Sequence, residues 1–170
     1  MEDEDKPKKT RFITRRKFIY GAMGLALADA FLIEPNISRI SKNKLNVPNL
    51  PPSLDDLTVV HLSDLHYKPD KDENLLASVV EKVNKNNPDL ITLTGDYVDV
   101  DTSGIEPMLE YLAKLKSKHG ILACMGNHDG WQADGAYFKR TFEKKGIQFL
   151  INQNTTLKIN NEKIHIAATD

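Results

Sequence analysis

The sequence has a single cysteine, Cys124. That excludes an intramolecular disulfide and any metal site built from thiolates alone. It has no surplus of charge: 23 basic and 24 acidic side chains leave a formal charge of −1. No bulk positive field therefore draws the chain onto nucleic acid, and none is expected as a partner. The apolar run of residues 18–33 is interrupted by Asp29 and two glycines. It falls short of the ~20 residues that cross a bilayer comfortably. Nine glycines and eight prolines in 170 residues are too few for a low-complexity or collagen-like chain. Stability must come from a packed core, with oxygen and nitrogen the main donors available to a metal.

The first ten residues are nearly all polar, and Thr14-Arg15-Arg16-Lys17-Phe18-Ile19 leads into the apolar run. A basic segment before a mild apolar one is the layout of an export signal. The paired arginines before Phe-Ile resemble a twin-arginine signal. The alternative is a basic amphipathic helix of the folded domain. Ala26-Leu27-Ala28 and Ala28-Asp29-Ala30 have the small residues of a cleavage site, but Phe31-Leu32-Ile33 continues apolar. Both cleavage and anchoring stay open. Residues 1–33 are thus expected to be a signal or anchor, engaging the twin-arginine export machinery. They would take the protein across the cytoplasmic membrane or tether it there. Residues 34–56 hold four prolines and little periodicity and read as a linker.

From Leu57 the pattern is regular. Residues 57–62 and 89–94 are β-branched runs, and residues 121–125 form a third strand candidate. Between them, Leu75, Leu76, Val79, Val80 and Val83 in residues 72–86, then Ile105, Met108, Leu109, Leu112 and Leu115, recur at helical spacing. Residues 133–145 offer a third helix, with Phe138 and Phe142 on one face. Strands 147–151, 156–159 and 163–168 follow, with Asn160-Asn161 as a hairpin turn. Alternating strands and helices predict an α/β fold with right-handed crossovers and a parallel sheet. Its ligand site lies beyond the carboxyl ends of the strands.

Each of the first three strands ends in chemistry: Asp64-Leu65-His66, then Gly95-Asp96-Tyr97-Val98-Asp99, then Gly126-Asn127-His128-Asp129. Asp64, Asp96 and Asn127 recur about one βαβ unit apart, so the fold brings all three clusters to one edge. Any one cluster is ordinary turn chemistry; three together are not. Asp, His and Asn suit hard or borderline divalent ions. Asp64 and His66 can share one ion, Asp96 can lie between two, and Asn127 can serve the second. Two ions ~3.5–4 Å apart clamp a phosphoryl group and activate water. His128 is placed to act on an oxygen of that group, with Asp99 to orient it.

These three blocks resemble, in identity and order, the calcineurin-like metallophosphoesterase superfamily over residues ~57–170. The resemblance implies a β-sandwich flanked by helices and two divalent ions of manganese, iron or zinc. It implies that Asp64 and His66 bind the first ion, Asp96 bridges, Asn127 binds the second, and His128 is the proton donor or transition-state stabiliser, oriented by Asp99. Serine/threonine phosphatases of the superfamily have arginine where this chain has Val100, which argues against a phosphoprotein substrate. Gly130-Trp131 after the third block looks more like the bacterial envelope phosphodiesterases. Those include relatives of UDP-2,3-diacylglucosamine pyrophosphatases, so a small phosphodiester or pyrophosphate is the expected substrate.

The family completes its site with further histidines and a Gly-His-x-His block, whereas only His165 follows His128 here. The expectation is the N-terminal half of a longer domain. The alternative is a truncated, catalytically incompetent remnant that binds a metal weakly, or a partner. Among the other candidates, His61 is expected to be a partly buried structural residue, His119 a helix-end residue and Cys124 an inert buried thiol. Trp131 is assigned either to the substrate mouth or to packing, and Asp129 to support of the site or to capping of helix 133–145.

Overall fold

The computed structural model describes residues 14–29 and 37–169. Parts of the expected signal, residues 1–13 and 30–33, lie outside the described residues, as do 34–36 of the linker. The chain divides into two units, residues 1–39 and 40–170.

The described part of the first unit is dominated by helix α1, Arg15–Ala28. The two arginines of the signal-like motif head it. Apolar side chains of α1 such as Phe18, Ile19, Leu25 and Leu27 are exposed. Fourteen residues at 1.5 Å each reach about 21 Å. No helix among the described residues is long and apolar enough to cross a membrane.

The second unit is a parallel sheet with helices packed on one face. Its strands are β1 (Val59–Leu62), β2 (Leu90–Leu93), β3 (Ile121–Ala123) and β4 (Gln148–Phe149). They lie in the order β1-β2-β3-β4, every neighbour parallel. The connections are α2 (Glu73–Lys85), α3 (Ile105–Leu112), and then α4 (Asn127–Gln132) and α5 (Gly135–Glu143) between β3 and β4. Strands that always step the same way by right-handed crossovers put their helices on one face. The core shows it: Leu76, Val80, Met108, Leu109, Phe138 and Phe142 bury against Ile91, Leu93 and Phe149. The Phe142 ring lies 4.7 Å from Tyr97 and 5.0 Å from Phe149. Burying an aromatic side chain of this kind is worth ~1.5–3 kcal/mol.

The expected third helix starts later than residue 133. Asp134 caps α5 by accepting the N–H of Tyr137 at 2.8 Å. The expected second helix ends at Leu112 rather than running on to Leu115. The Asn84 side chain explains this: its Nδ2 donates to the Lys114 carbonyl (2.9 Å) and its Oδ1 accepts the Lys116 N–H (2.8 Å). Those backbone groups are thereby taken from the helix, while Leu115 still reaches the core.

An antiparallel hairpin, β5 (Gln153–Ile159) and β6 (Glu162–Ala168), forms a second sheet. Asn160 and Asn161 turn it with φ of 49° and 69°, the left-handed pair that a tight hairpin requires. His165 stands on the exposed face of β6, opposite Thr156, with its Nδ1 2.9 Å from the Thr156 hydroxyl. Ordered packing begins slightly before Leu57, since Leu54 is buried and the Ser53 carbonyl accepts from Asn160 Nδ2. The helix-free face of the parallel sheet borders a cavity of about 390 Å³, lined by His61, Thr92, Leu122, Cys124, Leu150 and Ile166 among others. His61 is exposed rather than partly buried, with Nε2 2.6 Å from Thr94 Oγ1.

Candidate metal centre

The loop after β1 is zipped to the loop after β2 beyond the ends of the strands. Asp64 N–H donates to the Gly95 carbonyl (3.1 Å), His66 N–H to Asp96 (3.0 Å) and Tyr67 N–H to Tyr97 (2.9 Å). Tyr97 pins the second loop to the core, its hydroxyl donating to the carbonyls of Leu93 (3.1 Å) and Cys124 (2.9 Å). Burial pushes the Tyr97 phenol well above its ordinary pKa, which keeps it a donor. With Tyr97 and Val98 turned inward, Asp96 and Asp99 are left to face the edge where β1, β2 and β3 end.

The third loop is pressed against the second at two glycines. A Cβ on Gly95 would lie 2.0 Å from the Gly126 nitrogen, and one on Gly126 would lie 2.2 Å from Asp96 Oδ1. No side chain fits in either place. The third cluster is not a plain loop, because Asn127 opens α4. Wholly buried Asp129 ties that helix down: Oδ2 accepts the N–H groups of Asp96 (2.8 Å) and Gly126 (2.9 Å), and Oδ1 that of Tyr97 (2.9 Å). Burial raises the Asp129 pKa, and these three donors oppose it. Asp129 is therefore the brace of the site and not the cap of the following helix. An acidic residue three places after the helix-opening Gly126 was the available signal.

The arrangement brings Asp64, His66 and Asp96 together, each offering one atom within 4.8 Å of the others. His66 Nε2 lies 4.0 Å from Asp64 Oδ1 and 3.9 Å from Asp96 Oδ2. All three residues sit in the left-handed backbone region, at φ of 54°, 41° and 53°. His66 is the one residue with positive φ among those described that is neither Gly, Asn nor Asp. Such backbone costs of order 1–3 kcal/mol and concentrates at functional sites. Two carboxylate oxygens and one imidazole nitrogen are a donor set that suits a divalent cation.

The Asp99 carboxylate pairs with His66 Nδ1 through one oxygen and with Lys68 Nζ (3.1 Å) through the other. Lys68, then His66, hold its pKa below the ordinary carboxylate value. The resemblance assigned Asp99 to His128. One atom each of Asp99, His66 and His128 does lie within 4.8 Å, but the direct pairing is with His66. A proton on Nδ1 facing Asp99 leaves the Nε2 lone pair toward Asp64 and Asp96. Lys68 carries no sequence signal for this position, because only the folded loop brings it there.

His128 donates its backbone N–H to Asp96 Oδ1 (2.9 Å). Its ring stands edge-on to His66 at 5.0 Å, and its buried Nδ1 has no hydrogen-bond partner among the described residues. Asn127 is exposed beside it, at the first position of α4. His119 lies past the end of α3, its N–H on the Asp89 carbonyl. Cys124 is half-buried behind the site.

The sequence matches the calcineurin-like phosphoesterase family over residues 57–167. This chain belongs to that family. It is 28% identical to an uncharacterized metallophosphoesterase, YkuE, of Bacillus subtilis, across 93% of this chain and 60% of that protein. It is 34% identical to the UDP-2,3-diacylglucosamine pyrophosphatase LpxG of Chlamydia trachomatis, across 57% of this chain and 30% of that one. A transmembrane protein with a metallophosphoesterase domain from Danio rerio is 33% identical, across 65% and 25%. The chain thus spans between a quarter and three fifths of the length of these relatives. The family implies phosphoester hydrolysis with divalent metals, and the mixed α/β architecture agrees with its fold.

Proposed function

We propose that this chain carries the metal-binding half-site of a phosphohydrolase that cleaves a small phosphodiester or pyrophosphate. The observation that carries the reading is the convergence of Asp64, His66 and Asp96 on one point at the strand ends. Asp64 and His66 would hold one divalent cation and Asn127 a second, with the Asp96 carboxylate between them. Manganese, iron and zinc all suit this donor set. When bound, such a pair neutralises phosphoryl charge and makes a nucleophile available from water at neutral pH.

The chain's own residues then have distinct tasks. Asp99 and Lys68 fix the His66 ring, so that Nε2 presents its lone pair. The backbone N–H of His128 fixes Asp96 Oδ1 and leaves Oδ2 toward His66. The His128 imidazole donates a hydrogen bond to a phosphoryl oxygen or a proton to the departing one. Val100, where an arginine would grip a phosphoprotein's phosphate, is highly exposed. The similarity to a UDP-2,3-diacylglucosamine pyrophosphatase favours an envelope phosphoester, and the twin-arginine-like α1 favours an exported or tethered protein.

The test is manganese-stimulated hydrolysis of bis(p-nitrophenyl) phosphate by the full gene product, abolished by Asp96→Asn. Absence of metal-stimulated turnover across phosphodiesters and pyrophosphates defeats the reading. A second reading is that this span binds metal weakly and hydrolyses nothing. It is favoured by the donor set, in which three residues group at one point and only Asp96 and Asn127 are assigned to a second ion. Substoichiometric metal without turnover identifies it.

A further inference from the structure

Beyond α1 and the linker, few large apolar side chains are left in solvent. From residue 57 to 169 the exposed ones are Val59, Val100 and Trp131. Val59 lies on edge strand β1, whereas the other two flank the metal centre. Val100 follows Asp99 directly and is 78% exposed; Trp131 lies three residues past His128 and is 70% exposed. The Trp131 ring centroid is 4.7 Å from that of His128, at 48°. Gln132 Nε2 donates to the Asp99 carbonyl (3.2 Å), so the segments that carry Val100 and Trp131 are tied to each other. Residues 130–133, Gly-Trp-Gln-Ala, add no charge to this rim. Lys68, a cation beside the site, is already engaged with Asp99.

We propose that Trp131 and Val100 form the specificity rim of the site and receive an uncharged, apolar substituent carried on the phosphorus beside the scissile ester. Leaving an indole in water is unfavourable, and covering it with hydrocarbon recovers part of that cost. The proposal rests on the phosphohydrolase reading and adds the substrate class: a diester with an apolar arm, in preference to a small polar one. The contact between Trp131 and His128 puts the arm next to the phosphorus and not at a remote pocket.

The test uses methyl and hexyl p-nitrophenyl phosphate, which share a leaving group, with Mn²⁺ and the full gene product. A rim that covers even two methylenes gives a hexyl-to-methyl ratio of kcat/KM on the order of tenfold. Trp131→Ala and Val100→Ser should collapse that ratio toward unity, while Trp131→Phe should retain most of it. If Trp131→Ala lowers both rates equally and leaves the ratio intact, Trp131 serves only to seat His128 and the proposal is wrong. Trp131 is the single tryptophan of the 170-residue sequence, so the emission of this chain gives a second readout that needs no turnover. Hexyl phosphate should half-saturate the emission change at a concentration at least about fivefold lower than methyl phosphate. Equal half-saturation, or no change with either, overturns the proposal. If neither ester is hydrolysed, the phosphohydrolase reading fails and the emission titration alone decides the rim.

Discussion

Asp96 and Asp129 hold each other's loops in place. Asp129 Oδ2 accepts the Asp96 N–H at 2.8 Å, while Asp96 Oδ1 accepts the N–H of His128, the residue before Asp129, at 2.9 Å. One carboxylate faces the metal centre and the other is sealed in the protein. Between them they set the separation of the β2 and β3 loops. Asp129→Asn replaces one of two acceptor oxygens by an NH₂ group, so at least one of three backbone donors loses its partner. The expected cost is about 1–3 kcal/mol in stability, read as a lower urea midpoint. Manganese affinity should fall with it, although the Asp129 carboxylate is itself no ligand and acts through the Asp96 backbone.

Gly126 tests the same contact from the other side. Its backbone, at φ −105°, suits any residue. A penalty for alanine is therefore steric, from a methyl group 2.2 Å from Asp96 Oδ1. Gly126→Ala should cost about 1–3 kcal/mol and weaken manganese binding at least tenfold. Calorimetric melting and a metal titration check the two effects. Unchanged affinity would mean that the loops do not need this approach.

Asp99 acts through His66. Asp99→Asn leaves a side chain of the same shape but removes the charge that fixes the imidazole. Metal affinity should drop ~10–100-fold, as is usual for the carboxylate behind a ligand histidine. Lys68→Met should have a smaller effect, since Lys68 touches only the far oxygen. If the two variants behave alike, the charge at Asp99 is not what orients the ring.

The acid limb of stability should depend on Asp89. Lys118 Nζ (2.7 Å) and the Thr58 N–H (2.8 Å) hold its carboxylate, at the joint between β1 and β2. Lys118 foremost, then Thr58, keeps its pKa below the ordinary 3.8. A depressed carboxylate stabilises the fold fully above its unfolded pKa and loses that contribution as pH falls through the folded one. Asp89→Ala should therefore destabilise by about 1–2 kcal/mol at pH 6. The exposure of Lys118 keeps the figure modest. The difference from wild type should shrink below pH 3.8, and a gap that widens in acid contradicts the assignment.

The alternation of β-branched runs with helical apolar stripes made the order β1-α2-β2-α3-β3 legible, because a buried parallel sheet needs those patterns on its strands and helices. The residues at the three strand ends were legible for the same reason, since topology alone brings Asp64, Asp96 and Asn127 to one edge. What escaped was tertiary. Asn84 stops α3 from across the helix layer, which no local propensity encodes. The brace at Asp129 and the pairing of Asp99 with His66 depend on how two loops meet. The exposed place of His61 follows from a sheet face that carries no helix. The positive φ of His66 is set by the zipped loop around it, and nothing in its residue type announces it.

The most direct test of the account is a manganese titration of the chain followed by the electron paramagnetic resonance of free Mn²⁺, comparing wild type with Asp96→Asn and His66→Ala. Saturable binding by the wild type, weakened at least tenfold in both variants, is the result predicted from Asp64, His66 and Asp96 sharing one cation. Equal affinity in all three proteins, or no saturable binding in any, would contradict it.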